Sequence, residues 1–516
     1  MRLRPQVTMT AVATAAALVL AGCSGASTAA GGSAAPGSTT KGGTLTIATV
    51  VDVKSFDPAQ AHIGHYVQYD QPVYDTLIRR KPDNTLVPML ATTWVYNADK
   101  TVLTLTLRSG VTFSDGTALD ANAVKVNLDR FRTGNGPDAS TVALISDVTA
   151  KDPTTVVITL KSPDPSLLLD LATQDSFIAS PKAIDGGKIA TTPVGSGPYT
   201  LDASATVPGS TYTFTKRKGY WDPSLQVYDT IVLKPITDTK ATLNALLSGQ
   251  VNAANIAVKD SAQAASGGLT EYKYGTDWQG LLIFDRNGAT VPALKDVRVR
   301  QAINYALDKA TILKQVNLGL GTVTSQVFGP ATTAYQKSLD DAYPYDPAKA
   351  KDLMAQAGFA SGFSVSMPTV AGFMDPALTA GIGQNLKDIG ITVNWQNVSG
   401  SDFIGDLVKG KFPMAWFSLF QGSPWTASNQ ILTPNATYNP NHTTDPKVES
   451  LIATIQTGTD AEQASAAKEL DAYITSQAWF APLYRPDFTF FTDKKTTTQA
   501  QAMQAVPSIY GYAPAS

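Results

Sequence analysis

The sequence is poor in the residues that build metal centres and disulfide frameworks. Its 516 residues include one cysteine and three histidines. A single cysteine has no partner for an intramolecular disulfide bond. His62 and His65 are three residues apart, a spacing that can chelate a metal on a helix, but no cysteine accompanies them and the surrounding segment is polar. We therefore predict neither a bound metal nor a cofactor.

Motifs of common enzyme classes are also lacking. The chain contains no H-E-x-x-H, no G-x-S-x-G and no G-x-x-x-x-G-K-[ST]. Ser38-Thr39-Thr40-Lys41 matches the S-x-x-K pattern of serine acyl-enzymes, but it lies in a stretch rich in Ser, Gly and Ala, and we interpret it as chance. We predict that the protein is not an enzyme. The alternative is a secreted hydrolase whose carboxylate pair is assembled only by the fold.

Neither sign of charge dominates the chain. Lys and Arg number 40 against 42 Asp and Glu, a net charge of −2, and removal of residues 1–22 with their two arginines would leave −4. Because no basic patch stands out, we predict that nucleic acid is not a partner. Beyond the N-terminal run, no segment has 18 apolar residues in succession, so we expect no membrane-spanning helix in the mature chain.

The N-terminus is typical of a bacterial lipoprotein signal. Arg2 and Arg4 are followed by an apolar run from Val7 to Leu20, and then by Ala21-Gly22-Cys23. We predict that residues 1–22 are a signal peptide, that Cys23 is lipidated and holds the protein at the outer face of the cell membrane, and that residues 23–43 form a flexible tether. The alternatives are a secreted protein with a chance cysteine and a retained N-terminal helix.

The remainder predicts a mixed α/β protein with at least two lobes, because roughly 470 residues exceed what one hydrophobic core usually holds. The clearest strand runs from Val102 to Arg108, with three leucines on one face and threonines on the other. One amphipathic helix is predicted from Asp296 to Leu313. Further strands are predicted at 44–51, 156–160 and 231–235, and further helices at 120–130, 239–248, 346–358 and 375–390.

Aromatic residues in turns give the candidate ligand contacts. Turn aromatics beside Ser and Gln side chains suit a pocket that stacks on a ligand and orients it with a few polar groups. An alternative for each aromatic residue is a place in the core or at a contact between lobes. The predicted ligand-binding residues are His65, Tyr66, Trp278, Gln279, Phe373, Trp416, Ser418, Phe420, Gln421, Ser423 and Trp425.

A series of short motifs runs through nearly the whole mature chain. The motifs are Tyr74-Asp-Thr-Leu-Ile78, Pro88-Met-Leu-Ala91, Leu107-Arg-Ser-Gly-Val111, Phe113-Ser-Asp-Gly116, Gly195-Ser-Gly-Pro-Tyr199, Gly219-Tyr-Trp221, Leu246-Leu-Ser-Gly249, Val297-Arg-Val-Arg-Gln-Ala-Ile-Asn-Tyr-Ala-Leu-Asp308 and Leu386-Lys-Asp-Ile-Gly-Ile391. In this order they resemble the family 5 extracellular solute-binding proteins, which are the dipeptide, oligopeptide and nickel receptors of bacterial ABC importers.

The resemblance implies a two-lobe periplasmic-binding-protein (Venus-flytrap) fold with an extra subdomain beside lobe one. It implies a monomer that captures an oligopeptide or similar small solute between its lobes and delivers it to a membrane permease and its ATPase. We expect lobe one to comprise residues 44–70, 190–270 and 480–516, the extra subdomain residues 71–189, and lobe two residues 271–479.

Two departures from the family pattern bear on the ligand. Dipeptide receptors carry, in the segment that resembles residues 416–425, an aspartate for the amino terminus of the peptide, and this chain has no acid there. They also place an arginine for the carboxylate near the segment that resembles residues 369–374, where this chain has none. An unpaired buried charge costs several kcal/mol, which disfavours a free dipeptide. Longer peptides stay open, a neutral solute such as an oligosaccharide is the alternative, and nickel is disfavoured.

Overall fold

The computed structural model describes residues 41–371 and 373–515. The predicted signal peptide, the lipidation site at Cys23 and the predicted tether as far as residue 40 lie outside the described residues. Within the described part of the chain, no helix has the length and apolar character needed to cross a membrane.

The compact fold begins before the predicted end of the tether. The amide of Gly42 donates to the carbonyl of Val227 at 2.9 Å, and the carbonyl of Gly43 accepts from the amide of Asp229 at 2.9 Å. Residues 42 and 43 therefore belong to the fold, and we propose that the tether ends at residue 41.

The strands and helices alternate along the chain. The strands are β1 (Thr44–Thr49), β2 (Ile78–Arg80), β3 (Leu86–Pro88), β4 (Ala91–Tyr96), β5 (Val102–Leu107), β6 (Ile145–Asp152), β7 (Thr155–Leu160), β8 (Tyr199–Leu201), β9 (Tyr212–Lys216), β10 (Thr230–Pro235), β11 (Ala253–Asn255), β12 (Thr270–Tyr274), β13 (Asp277–Ile283), β14 (Gly321–Val323), β15 (Phe363–Thr369), β16 (Ile391–Asn397), β17 (Met414–Phe420), β18 (Phe480–Pro486), β19 (Phe488–Thr492), β20 (Thr496–Thr497) and β21 (Ala513–Pro514). The helices are α1 (Val67–Asp70), α2 (Ala121–Thr133), α3 (Leu167–Asp170), α4 (Pro181–Asp185), α5 (Thr239–Leu247), α6 (Ser261–Ser266), α7 (Val297–Ala306), α8 (Lys309–Asn317), α9 (Pro347–Gln356), α10 (Pro376–Asp388), α11 (Gly400–Val408), α12 (Pro424–Ile431), α13 (Pro446–Thr457) and α14 (Asp460–Ser476).

Three sheets organise these elements. A seven-stranded mixed sheet has the order β12-β19-β11-β1-β10-β9-β8, with β1 parallel to β10 and β11. An antiparallel four-stranded sheet has the order β14-β18-β13-β17, and a second one the order β4-β5-β7-β6. The second four-stranded sheet contains the strand predicted from Val102, and Leu103, Leu105 and Leu107 are buried on its core face as expected. It lies within the segment predicted as the extra subdomain.

Each main sheet is the centre of one lobe. The seven-stranded sheet packs around Leu45, Ile47 and Phe214. The β14-β18-β13-β17 sheet is covered on both faces, by α7 to α10 on one side and by α11 to α14 on the other. Covering on both faces explains why β13 carries a nearly continuous apolar run after its first residues.

The chain passes between the two main sheets at two short crossings. The first crossing is Gly275-Thr276, between β12 and β13, and the second is Asp487, between β18 and β19. Residues 480–516 were assigned to lobe one from the sequence, but Phe480–Pro486 pairs with β13 in the other sheet. We therefore propose that this lobe boundary lies at Asp487. The other boundaries stay proposals.

The prediction of one helix from Asp296 to Leu313 was wrong. The structure has α7 and α8, separated by Leu307, which is extended with φ −82° and ψ 114°. Asp308 then caps α8, because its side chain accepts a hydrogen bond from the amide of Thr311 at 3.0 Å. The apolar stripe survives the break, since residues of both helices pack in one core. Hydrophobic spacing alone could therefore not reveal the interruption.

Candidate functional site

Two adjoining cavities lie where the chain crosses between the main sheets. One has a volume of about 350 Å³ and the other of about 260 Å³. Tyr274, Thr276 and Met503 line both, so we treat the two as one space and call it the lobe cleft. The larger part is also lined by Pro82, Gly275, Thr322, Gly329 to Thr332, Gln421, Arg485, Asp487 and Ala500 to Ala502. The smaller part is also lined by Ile63 to His65, Asn255, Asp277, Phe420, Phe488, Gln504 and Ala505.

Strand pairing brings several predicted site residues together. On antiparallel β13 and β17, Gln279 lies opposite Ser418 and Asp277 opposite Phe420. Directly opposed residues project to the same face of a sheet, and alternate residues along a strand share that face. Gln279, Ser418, Phe420 and, farther along, Trp416 therefore lie on one face together with Asp277.

Trp278 lies on the opposite face of β13. Its side chain is 2% exposed, and its ring contacts Phe480 edge-to-face at 5.9 Å between centroids. It belongs to the core formed with α11 to α14. Trp278 thus packs inside lobe two in this structure. The neighbouring residue, Asp277, is the one that lines the cleft.

Asp277 is the cleft residue that the sequence search missed. The hydroxyl of Ser418 donates to Asp277 Oδ2 at 3.0 Å. Burial raises the pKa of Asp277, and the hydrogen bond from Ser418 opposes that shift. The residue is recognisable in the sequence only once β13 is known to begin at 277, because strand alternation then gives its face.

Gln421 fixes the first crossing from the end of β17. Its backbone N–H donates to the carbonyl of Thr276 at 2.8 Å, and its side-chain Nε2 donates to the backbone carbonyl of Asp277 at 2.7 Å. Gln421 also lines the larger part of the cleft. The predicted site residue therefore sits at the cleft and also ties β17 to the crossing.

His65 lines the smaller part of the cleft, from the lobe-one side. Burial lowers the pKa of His65, so its imidazole is neutral at neutral pH. Tyr66 is half-buried beside it and packs edge-to-face on His62 at 5.7 Å. Of this predicted pair, the structure places His65 at the cleft wall.

The other predicted residues lie apart from the cleft walls. Phe373 is 59% exposed, and its ring centroid is 6.4 Å from that of Trp416. Ser423 caps α12, since its hydroxyl accepts from the amide of Thr426 at 3.1 Å. Trp425 lines a separate cavity of about 320 Å³, which it shares with Asp164 and Asp170 of the predicted subdomain. The predicted residues therefore do not all lie at one site.

A buried ion pair supports one wall of the cleft. Nη2 of Arg485 donates to Asp340 Oδ1 at 2.7 Å and to the hydroxyl of Thr324 at 2.8 Å. The side chains of Arg485 and Asp340 are only 6% and 10% exposed. Because the segment from 324 to 340 includes the wall residues Gly329 to Thr332, the pair holds that wall against β18.

Two buried hydrogen-bond donors lie on the same sheet face as Asp277. Among the described residues, the indole N–H of Trp416 and the hydroxyl of Tyr484 have no hydrogen-bond partner. Tyr484 lies opposite Gln279 in the β13–β18 pairing. No group of three His, Cys, Asp or Glu side chains in residues 41–371 and 373–515 is arranged to hold a metal ion.

Most of the chain matches the sequence model of one protein family. The profile of the bacterial extracellular solute-binding proteins, family 5 Middle, matches residues 85–441. The glutathione-binding protein GsiB of Salmonella paratyphi A is 30% identical over 334 residues, and GsiB of Escherichia coli K12 is 30% identical over 333. These alignments cover 63% of this chain and 63% of each relative.

Solved structures share the fold over nearly the whole chain. CtaP of Listeria monocytogenes, an ABC transporter substrate-binding protein, covers 92% of this chain with its full length, at 20% identity and a TM-score of 0.79. HbpA2 of Haemophilus parasuis aligns over its full length with 92% of this chain, at 21% identity and a TM-score of 0.80. AppA of Bacillus subtilis, solved in complex with a nonapeptide, aligns over its full length with 93% of this chain, at 19% identity and a TM-score of 0.69. The predicted two-lobe α/β fold is confirmed by these similarities together with the two main sheets.

Proposed function

Because this chain belongs to the bacterial extracellular solute-binding proteins of family 5, a family of transport receptors, we propose that it is the substrate-binding component of an ABC importer. In this role it encloses an oligopeptide or a similar small organic solute between its lobes and delivers it to a membrane permease and its ATPase. The observation that carries the proposal is the lobe cleft, whose parts of about 350 and 260 Å³ border both crossings between the main sheets.

The two crossings are suited to act as a hinge. Each is only one or two residues long, at Gly275-Thr276 and at Asp487. Rotation about these residues would open the cleft while each sheet keeps its own core. A ligand that contacts both walls stabilises the closed arrangement over the open one, and a permease can respond to that difference.

Polar contacts away from the hinge also join the two sides. Gln456 Nε2 on α13 donates to the carbonyl of Pro163 at 3.0 Å, and Lys100 Nζ donates to the carbonyl of Gly458 at 3.0 Å. These bonds link the predicted subdomain to lobe two. Lys100 also forms an ion pair at 3.3 Å with Asp460, whose side chain is 99% exposed, so this bridge contributes little to stability. Such contacts can break and reform as the cleft opens and closes.

Thermal stability of the chain without residues 1–22 tests the function. We expect at least one peptide or other small solute to raise the melting temperature, because a ligand at a hundred times its Kd adds about 2.7 kcal/mol to the free energy of unfolding. Differential scanning fluorimetry against peptide, sugar, amine and organic-acid libraries measures this. If only neutral sugars shift the melting temperature, the peptide assignment is wrong. If the stabilising compound is turned over, the receptor assignment is wrong.

Membrane anchoring through Cys23 has its own test. We expect the Cys23→Ser variant to appear in the medium or periplasmic fraction, because the serine cannot receive the thioether-linked lipid that we propose as the anchor. Immunoblotting of membrane and soluble fractions from cells producing either protein measures the distribution. Ser24→Ala, one residue farther along, is the matched control and should stay with the membrane. A Cys23→Ser protein that also stays there would contradict the anchor.

A further inference from the structure

The side chains that line the lobe cleft carry more negative than positive charge. Among the described residues that line it, the side chains that carry charge are Asp277, Asp487 and Arg485, since His65 is neutral at neutral pH. The guanidinium of Arg485 is already paired with Asp340 at 2.7 Å. The two aspartates have no ion pair with any described residue. The charge that the cleft offers to a ligand is therefore negative.

Asp277 faces the more apolar part of this space. The walls around it include Phe420, Phe488 and Met503. Ser418 donates one hydrogen bond to the carboxylate, and burial raises the pKa of Asp277. A carboxylate removed from water without a cationic partner is costly, and an incoming cation would remove that cost. The direction of the pKa shift thus agrees with what the geometry indicates.

The aromatic side chains that line this part of the cleft are compatible with a cation. An ammonium group close to the face of a phenyl ring is attracted by the ring quadrupole, and the attraction grows when water is excluded. Phe488 is held in place by stacking on Tyr274, with ring centroids 5.8 Å apart. The mainly apolar walls of this part, together with one carboxylate, match an amine that carries a hydrophobic body.

We propose that Asp277 binds the ammonium group of the ligand, and that this ligand is an organic amine with an apolar body and no carboxylate buried in the cleft. The proposal rests on the proposed function, because it assigns the ligand chemistry of the same cleft. The ammonium group could come from the amino terminus of a peptide or from a small-molecule amine. Both present three N–H donors to the carboxylate.

Calorimetric titration at pH 7.5 with blocked and unblocked amines tests the proposal. The probes are trileucine amide, its N-acetylated form and 2-phenylethylamine, each titrated into the chain without residues 1–22. We expect at least one of the two free amines to bind, and N-acetylation to weaken binding of the peptide, if it binds, by about 10- to 100-fold, since a charge-assisted hydrogen bond is lost. Binding of the peptide alone identifies an amino terminus as the source, and binding of 2-phenylethylamine alone identifies a small amine.

Asp277→Asn separates the carboxylate from the rest of the wall. Asparagine retains an oxygen that can accept from Ser418 but has no charge, so we expect affinity for the free amines to fall by about 10- to 100-fold and affinity for the N-acetylated peptide to stay unchanged. Asp185→Asn is the matched control, because Asp185 is exposed at the end of α4, and it should alter none of the constants. The titrations with unaltered protein remain decisive if the variant fails to fold.

Three results would overturn the proposal: no binding of either free amine, equal affinity for the N-acetylated peptide, or unchanged amine affinity in Asp277→Asn. None of these would by itself overturn the receptor function. That function fails separately, if no solute of any class raises the melting temperature in the library screen. The two failures are therefore distinguishable.

Discussion

The Asp340→Asn variant is expected to have a free energy of unfolding about 3–5 kcal/mol below that of the unaltered protein at pH 7, the range found when one partner of a buried ion pair is removed. Asp340 and Arg485 are both buried. The carboxylate also accepts from Gln326 Nε2 at 2.9 Å and from the hydroxyl of Tyr335 at 2.7 Å. Loss of the negative charge leaves the guanidinium buried without a counter-charge, which is the dominant cost.

The pH dependence of this deficit follows from the pKa of Asp340. Burial by itself would raise that pKa, but hydrogen bonds from Arg485 and Tyr335 and the charge of Arg485 lower it below its ordinary value. A lowered folded-state pKa contributes stability above the unfolded pKa of about 3.9, and this contribution is lost as the pH falls through the folded value. The difference between the variant and the unaltered protein should therefore shrink in acid, below about pH 4.

Urea denaturation followed by circular dichroism at pH 7 and at pH 3 measures both effects. Asp341→Asn is the matched control, since Asp341 is the exposed neighbour and a surface change of this kind is usually worth less than about 0.5 kcal/mol. We also expect weaker ligand binding in Asp340→Asn, because the wall from Gly329 to Thr332 loses its tie to β18. A loss of stability below about 1 kcal/mol at pH 7 would show that the ion pair does not stabilise the fold as expected.

Local features of the fold were predictable because their causes lie close together in the sequence. The alternation of leucine and threonine places β5 within a residue of its observed bounds. Asp346-Pro347 and Asp375-Pro376 begin α9 and α10, because each aspartate accepts a hydrogen bond from a backbone amide and proline fits the first turn. The break at Leu307 was missed, because the apolar stripe of α7 continues into α8 and spacing cannot distinguish the two cases.

The cleft was only partly predictable, because its geometry depends on contacts between distant segments. Phe420 and Gln421, which line the cleft, were predicted from aromatic and polar residues near turns. Trp278 was predicted as a ligand contact and Asp277 was not considered, because the sequence does not show which residues of a strand face a cleft when both faces of the strand are buried. Arg485 and Asp340 are 145 residues apart, and nothing in the sequence pairs them.

Replacement of Asp471 is the second change expected to have a large effect on the free energy of unfolding, and this change should stabilise the protein. Asp471 lies on α14, is 0% exposed, and neither carboxyl oxygen has a hydrogen-bond partner among the described residues. Burial raises the pKa of Asp471 to about 8, against the opposing influence of the positive charge of Arg485. That guanidinium is bound to Asp340 instead. Two acids therefore share one arginine, and Asp471 is the one kept protonated at neutral pH.

A raised carboxyl pKa makes stability fall as the pH rises. Below the unfolded pKa of about 3.9, both states hold the proton and there is no penalty. Between about pH 4 and pH 8 the unfolded chain has released the proton while the folded chain retains it, at about 1.4 kcal/mol per pH unit as an upper limit. Above pH 8 the penalty stays constant. Asp471 should therefore lower the free energy of unfolding steadily between about pH 4 and pH 8.

The Asp471→Asn variant should escape this penalty, because asparagine has nearly the shape of a protonated aspartate and does not titrate. We expect its free energy of unfolding at pH 7.5 to exceed that of the unaltered protein by about 1–3 kcal/mol, less than the upper limit because the amide hydrogens also lack acceptors. The gain should vanish near pH 4. Urea midpoints from pH 4 to pH 8.5 measure it, with Asp352→Asn on the exposed side of α9 as the control that gains nothing. A gain that is the same at every pH would mean that asparagine improves packing, and that the proton on Asp471 is not its cause.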